Sequence, residues 1–270
     1  MKLKKVMSFV IAGVIAASAA MTALAEEGSV SFTPDEVVEW LQEGDEKAED
    51  VNGQILNGVS RLAEMLLIVD VAAGPDEEQM GTVNALLNDV ASCEGSEDLD
   101  VLQKTGLLAA GTVHALDVLV DAIDEGDQAE DARLTLKDAF TEADAATETA
   151  QEQTANALLF AARFASLGAQ RAALSEEQAA ELAGGLDTLE AEFMEAADVD
   201  EETNVAAKWL YKFLGALAKL SHEENVDVIN SITEKTEAET AAAEGPKQAA
   251  VSWLYGAVNA AGGIIGTMNM

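Results

Sequence analysis

Little in this chain could build a catalytic or metal centre. Its 270 residues include one cysteine, Cys93, and two histidines, His114 and His222. A lone cysteine excludes an intramolecular disulfide. Cys93 is expected as a partly buried small hydrophobe, and an intermolecular bridge is the sharper alternative. The histidines are 108 positions apart and lack a paired spacing such as HExxH, so transition-metal chemistry has little material. His114 lies in the apolar segment Leu107–Val120 and reads as a core histidine. Glycine-rich phosphate loops and a Gly-x-Ser-x-Gly elbow are missing too. No enzyme, cofactor or dedicated metal site is expected.

Basic residues are scarce as well. Fifteen Lys and Arg face 50 Asp and Glu, a formal charge of −35. Nucleic-acid binding needs cationic side chains to neutralise phosphates, so it is excluded. Attraction to an anionic membrane surface is disfavoured. A charge this large keeps a chain soluble but opposes its compact state, which favours salt or divalent cations; adaptation to a salty habitat would give the same composition. Paired carboxylates are so common that none stands out as an acid–base pair. Asp121-Ala-Ile-Asp124-Glu125-Gly126-Asp127 and Asp198-Val-Asp200-Glu201-Glu202 both miss the calcium-loop spacing. Weak, non-specific divalent binding is the expectation there. Aromatics are 4% against 49% hydrophobic residues overall, which points to a core of close-packed Ala, Leu and Val.

What the chain does have begins at its N-terminus. Lys2, Lys4 and Lys5 precede an uncharged apolar run that ends at Ala23-Leu24-Ala25 before Glu26-Glu27. This is the pattern of an export signal over residues 1–25, followed by a short disordered stretch over 26–33 and one all-α domain over 34–270, with a division near 95 or 150 as the alternative. Removing the three signal lysines leaves 12 basic residues against 50 acids, or −38. The expected location is outside the cytoplasmic membrane, extracellular or periplasmic.

The three prolines punctuate helices. Thr33-Pro34-Asp35-Glu36 has a cap, a first-turn proline and a glutamate that reaches back. Gly74-Pro75 and Gly245-Pro246 each mark one helix ending and another starting. Ser175-Glu176-Glu177-Gln178 and Ser221-His222-Glu223-Glu224 read as further capping boxes. Apolar residues recur at helical steps through Ile55, Val59, Leu62, Leu66, Val69 and Ala73, and again through Leu182, Leu186, Leu189, Phe193 and Ala196. Period-two alternation is nowhere sustained, so the fold is all-α.

Charge alternates along the chain. Residues 154–174, 204–220 and everything after Glu244 hold no acid, while acid-rich helices lie at about 176–197 and 223–244. An antiparallel bundle or an irregular array of helical hairpins follows, with nearly neutral helices central and acidic ones outside. Helical pairs starting near Leu99, Thr154, Thr203 and Pro246 recur at 43–55 residues. Ala206-Ala207-Lys208-Trp209-Leu210-Tyr211 is echoed by Ala250-Val251-Ser252-Trp253-Leu254-Tyr255. Both features hint at duplication, in a compact bundle or a solenoid.

Two stretches are candidates for a partner contact. Lys208, Trp209, Tyr211 and Lys212 form a basic, aromatic helix suited to an acidic partner or a membrane surface; pairing with neighbouring acidic helices is the plainer reading. From Gln248 to Met270 the chain is uncharged, with Trp253 and Tyr255 near its start and Gly262 and Gly266 in Gly-x-x-x-Gly spacing. Burial as a closing helix, self-association and membrane insertion are its three readings. The function expected is non-catalytic binding or cell-surface structure, with a protein partner or a second copy as ligand. A membrane-active protein that inserts 248–270 is the alternative.

Overall fold

Five turns of the same design set the architecture. In each, a side chain or glycine caps the start of a helix, and in four of them a side chain three positions on reaches back. Asp50 Oδ1 accepts from the Gly53 N–H at 3.0 Å. Asp100 Oδ1 accepts from Gln103 N–H at 2.9 Å while Gln103 Oε1 accepts from Asp100 N–H. Thr149 and Glu152 exchange the same pair of bonds. Asp198 Oδ1 accepts from Glu201 N–H, whose carboxylate takes the Ala197 N–H. At the fifth turn Gly245 stands at the cap, and Gln248 Oε1 accepts from Glu244 N–H at 3.1 Å. These bonds satisfy backbone donors that a helix start would otherwise leave orphaned.

The computed structural model describes residues 34–72, 77–123, 127–171, 176–221 and 225–268. Among them lie ten helices and no strand: α1 Pro34–Asp45, α2 Val51–Ala72, α3 Glu77–Gly95, α4 Val101–Ile123, α5 Asp127–Ala146, α6 Ala150–Arg171, α7 Glu176–Glu195, α8 Val199–Ser221, α9 Asn225–Ala241 and α10 Pro246–Met268. The expected signal over 1–25, the stretch 26–33, the break at Gly74-Pro75 and the caps at Thr33 and Ser175 lie outside the described residues. Of the box at Ser221-His222-Glu223-Glu224, Ser221 is the last described residue of α8, and residues 222–224 lie outside the described residues.

The helices pair as five hairpins, and the hairpins close into a ring. Each even-numbered helix packs against the next, α2 on α4, α4 on α6, α6 on α8 and α8 on α10, and α10 packs back on α2. Each odd-numbered helix lies outside, over the seam between its own partner and the preceding inner helix; α1 covers the seam between α10 and α2. No two outer helices touch among the described residues. The inner helices start at Val51, Val101, Ala150, Val199 and Pro246, steps of 50, 49, 49 and 47 residues. The points near 95 and 150, where a division was an alternative, fall at the turns inside the α3–α4 and α5–α6 hairpins.

Charge follows the layers. The five inner helices together hold eight acids and eight bases. The five outer helices hold 26 acids against Arg133, Lys137 and Lys235 alone. Neutral helices are therefore central and acidic helices external, the arrangement expected from the acid-free stretches. Inside, Leu62, Leu116, Leu158, Leu210 and Leu254 are fully buried, one from each inner helix, among small residues such as Ala109, Ala161, Ala207 and Ala257. Small partners let parallel helices approach closely while the leucines fill the axis.

Candidate functional site

The ring places its polar groups in three settings: the axial mouth, the interior, and the grooves between outer helices. At the mouth, the starts of all five inner helices converge on Asn52, Leu102, Gln151, Asp200 and Lys247, with Ile55, Thr105, Thr154 and Thr203 one turn below. The three threonine hydroxyls donate to their own helices' carbonyls at Val101, Ala150 and Val199 (2.7, 2.8 and 2.7 Å). Lys247 Nζ pairs with Asp200 at 3.1 Å. The enclosed space is about 20 Å³, room for one water and little more.

The interior holds carboxyl groups that no sequence pattern marked. Asp70 is fully buried, and neither of its oxygens has a hydrogen-bond partner among the described residues. Burial, with the Asp117 carboxylate adding to it, holds its pKa well above the usual range. Asp117 itself pairs with Arg133 and Lys137 of α5 at 2.7 and 2.8 Å. On α2, Glu64 pairs with Arg61 at 2.5 Å, Ser60 donates to Glu94 of α3, and Arg61 lies over the Trp40 ring of α1. Burial raises Glu64 to about 8, helped by Glu94 and opposed by Arg61. No cavity described here is lined by Glu64, Asp70 or Glu94. Among the described residues no cluster of three His, Cys, Asp or Glu is placed to hold a metal ion.

The grooves follow the repeat. Fourteen residues past each cap, the inner helices carry Glu64, His114, Arg163, Lys212 or Asn259. Four of these are long or aromatic and lean on their neighbours. His114 packs edge-on to Phe140, and burial depresses its pKa. Arg163 lies over Phe160 and pairs with Glu190 at 2.9 Å. Lys212 lies 4.3 Å from the Trp209 ring centre. Cys93 and His114 share the groove between α3 and α5, a hollow of about 600 Å³, but burial raises the Cys93 thiol and its Sγ–H is directed at the Lys104 carbonyl.

The fifth groove lies between α1 and α9 over α10. Gly256, Asn259 and Gly263 lie along its floor, and a cavity of about 330 Å³ opens there. Its apolar stretch is formed by Val38, Leu41, Val228 and Ile232, and its polar end by Gln42, Asp45, Lys235, Glu239 and Tyr255. The Tyr255 hydroxyl donates to Asp45 Oδ1 at 2.7 Å and accepts from Asn57 Nδ2 at 3.1 Å. Burial, with Asp45 beside it, keeps the phenol protonated.

The sequence-selected residues mostly face inward. Trp209, Tyr211 and Trp253 are buried, and the Tyr211 and Trp253 rings lie 5.4 Å apart. Tyr211 shares a 2.6 Å hydrogen bond with Thr233. Lys208 pairs with Glu192 of α7 at 3.2 Å, which the Trp209 indole N–H also reaches. Gly262 admits α1: a Cβ there would lie 3.0 Å from Val37 and 3.4 Å from Met65. The surroundings of Gly266 lie outside the description. Ala250, Leu254, Ala257, Val258 and Ala260 of α10 are wholly buried, and no described helix is long and apolar enough to cross a membrane. Only Tyr255 belongs to both the selected set and the fifth groove. The groove could not be read from local pattern, because its walls come from opposite ends of the chain. Comparison with protein-family models, curated proteins and solved structures returns no match for this chain.

Proposed function

We propose that the chain is an exported, non-catalytic binding protein whose acidic outer wall engages a basic protein outside the cytoplasm. The observation that carries this reading is the partition of charge, with 26 acids and three bases on the outer helices around an inner ring of eight and eight. A neutral core carrying a uniformly negative wall projects a field that steers a cationic partner and repels acidic ones. Buried acids work against stability, whereas wall acids serve solubility and encounter. Export is supported by the basic head, the apolar run and Ala23-Leu24-Ala25.

Cytochrome c serves as a folded basic probe for the wall, and cell fractionation tests export. Association at 20 mM NaCl is expected to weaken by at least about tenfold at 0.3 M, as screening shortens the Debye length to below ~10 Å. The secreted product is expected to begin at Glu26. Absence of association at low salt, or association indifferent to salt, would remove the wall as a contact surface. Retention in the cytoplasm with residues 1–25 attached would remove export.

A further inference from the structure

We propose that the groove between α1 and α9 is a binding site for a small organic cation with an apolar body, an alkyl- or arylammonium. This goes beyond the reading of the wall and does not depend on it. The walls and the polar end of this trough supply the argument. Gly256, Asn259 and Gly263 lie along its floor. Gly256 cannot be filled without displacing neighbours, since a Cβ would lie 2.8 Å from Thr236 Oγ1 and 3.0 Å from Tyr211.

The shape selects an amphiphile. Val38 and Val228 are 37% and 42% exposed and both line the trough, so apolar surface remains available for a ligand to cover. Both α1 and α9 end at the same end of the trough, where Asp45 and Glu239 stand. Two helix C-termini and two carboxylates favour a positive charge there. Asp45 is held in place: its Oδ1 accepts from Tyr255 and from Gln54 Nε2 at 2.7 and 3.0 Å, and its second oxygen makes no hydrogen bond among the described residues. Glu239 reaches Lys235 at only 3.8 Å, a loose pair that a better-placed cation would displace. The cavity of about 330 Å³ is at the lower end of small-ligand pockets and smaller than one helical turn with side chains, ~10 Å across and ~5.4 Å tall. A second copy, itself at −35, is repelled.

The test is calorimetric titration of the full chain with octylammonium chloride at 150 mM NaCl, where loose association with the wall is screened. One saturable site is expected, with octanoate bound at least about tenfold more weakly because Asp45 and Glu239 oppose its charge. Val228→Arg changes an exposed residue and places a cation in the trough; unchanged circular dichroism with at least about tenfold weaker binding is expected. Asp45→Asn should weaken binding by a smaller factor, and Leu134→Arg, on exposed α5 surface, should leave it unaltered. Equal affinity for octanoate, or Val228→Arg binding as the parent does, would overturn the assignment. Absence of any saturable site at 150 mM NaCl would overturn it as well. None of these outcomes bears on the cytochrome c result, which is read at low salt on the wall.

Discussion

Among single side chains, the buried carboxyls have the largest consequence for stability. Asp70 has no exposure and no hydrogen-bond partner among the described residues, and Glu64 is raised to about 8, mainly by burial. In the folded chain these groups keep a proton that the unfolded chain has released. Stability therefore falls as pH rises from the ordinary carboxyl range toward the raised values. The melting temperature should accordingly rise on acidification from pH 8 to pH 5. Asp70→Asn should stabilise the protein at pH 8 by at least about 1 kcal/mol and change it much less at pH 4, where the unfolded-state carboxyl is itself partly protonated. Parallel melting curves with the same gain at both pH values would show that Asp70 is not the titrating group. None of this was legible in the sequence. With 50 acids present, only packing distinguishes Asp70 from a solvated one.

At the scale of the helix, glycines separate close approach from mere permissiveness. Gly256 lets α9 and α8 press against α10, and its replacement by Ala should cost about 1–3 kcal/mol through displaced neighbours. Gly81 lies on exposed α3 with nothing within 4 Å of an added Cβ. There the same change should stabilise by about 0.5–1 kcal/mol, since alanine suits a helix interior better. Urea midpoints of the two variants moving in opposite directions would bear this out; a neutral Gly256→Ala would mean that α9 can slide.

Much at this scale could be read directly. Ile55, Val59, Leu62 and Leu66 are the buried stripe of α2 that their spacing predicted. The repeat was visible but out of register. The starts read near Leu99, Thr154, Thr203 and Pro246 are spaced by 43–55 residues, whereas the caps at Asp50, Asp100, Thr149, Asp198 and Gly245 keep near-constant steps. The Trp-Leu-Tyr echo is not an equivalence. Trp209 lies eleven residues past its cap and Trp253 eight past its own, so Gly256 is the structural counterpart of Trp209.

Over the molecule as a whole, layered charge and ring closure combine. Outer helices, which do not touch among the described residues, repel one another, and the neutral inner ring has no net charge to offset them. Raising NaCl from 20 mM to 0.5 M should therefore raise the melting temperature, as screening acts on exposed like charges. A melting temperature that falls or stays fixed would mean that the ion pairs at Arg133, Lys208 and Lys247 outweigh wall repulsion. The layering was readable from the acid-free stretches. Closure was not, because α2 and α10 each carry an ordinary apolar stripe that does not name its partner.

Closure also sets a clock. The hydrogen bonds from Tyr255 to Asn57 and Asp45 join residues 198 and 210 positions apart, and contacts so distant in sequence form late. A chain emerging from its N-terminal end can assemble hairpins one after another, yet α2 keeps one flank open until α10 has been made. Four hairpins form an arc with two unsatisfied edges, and the fifth turns the arc into a ring. The latest helix to be synthesised thus acts as the latch, and the order of synthesis and the order of folding finish together.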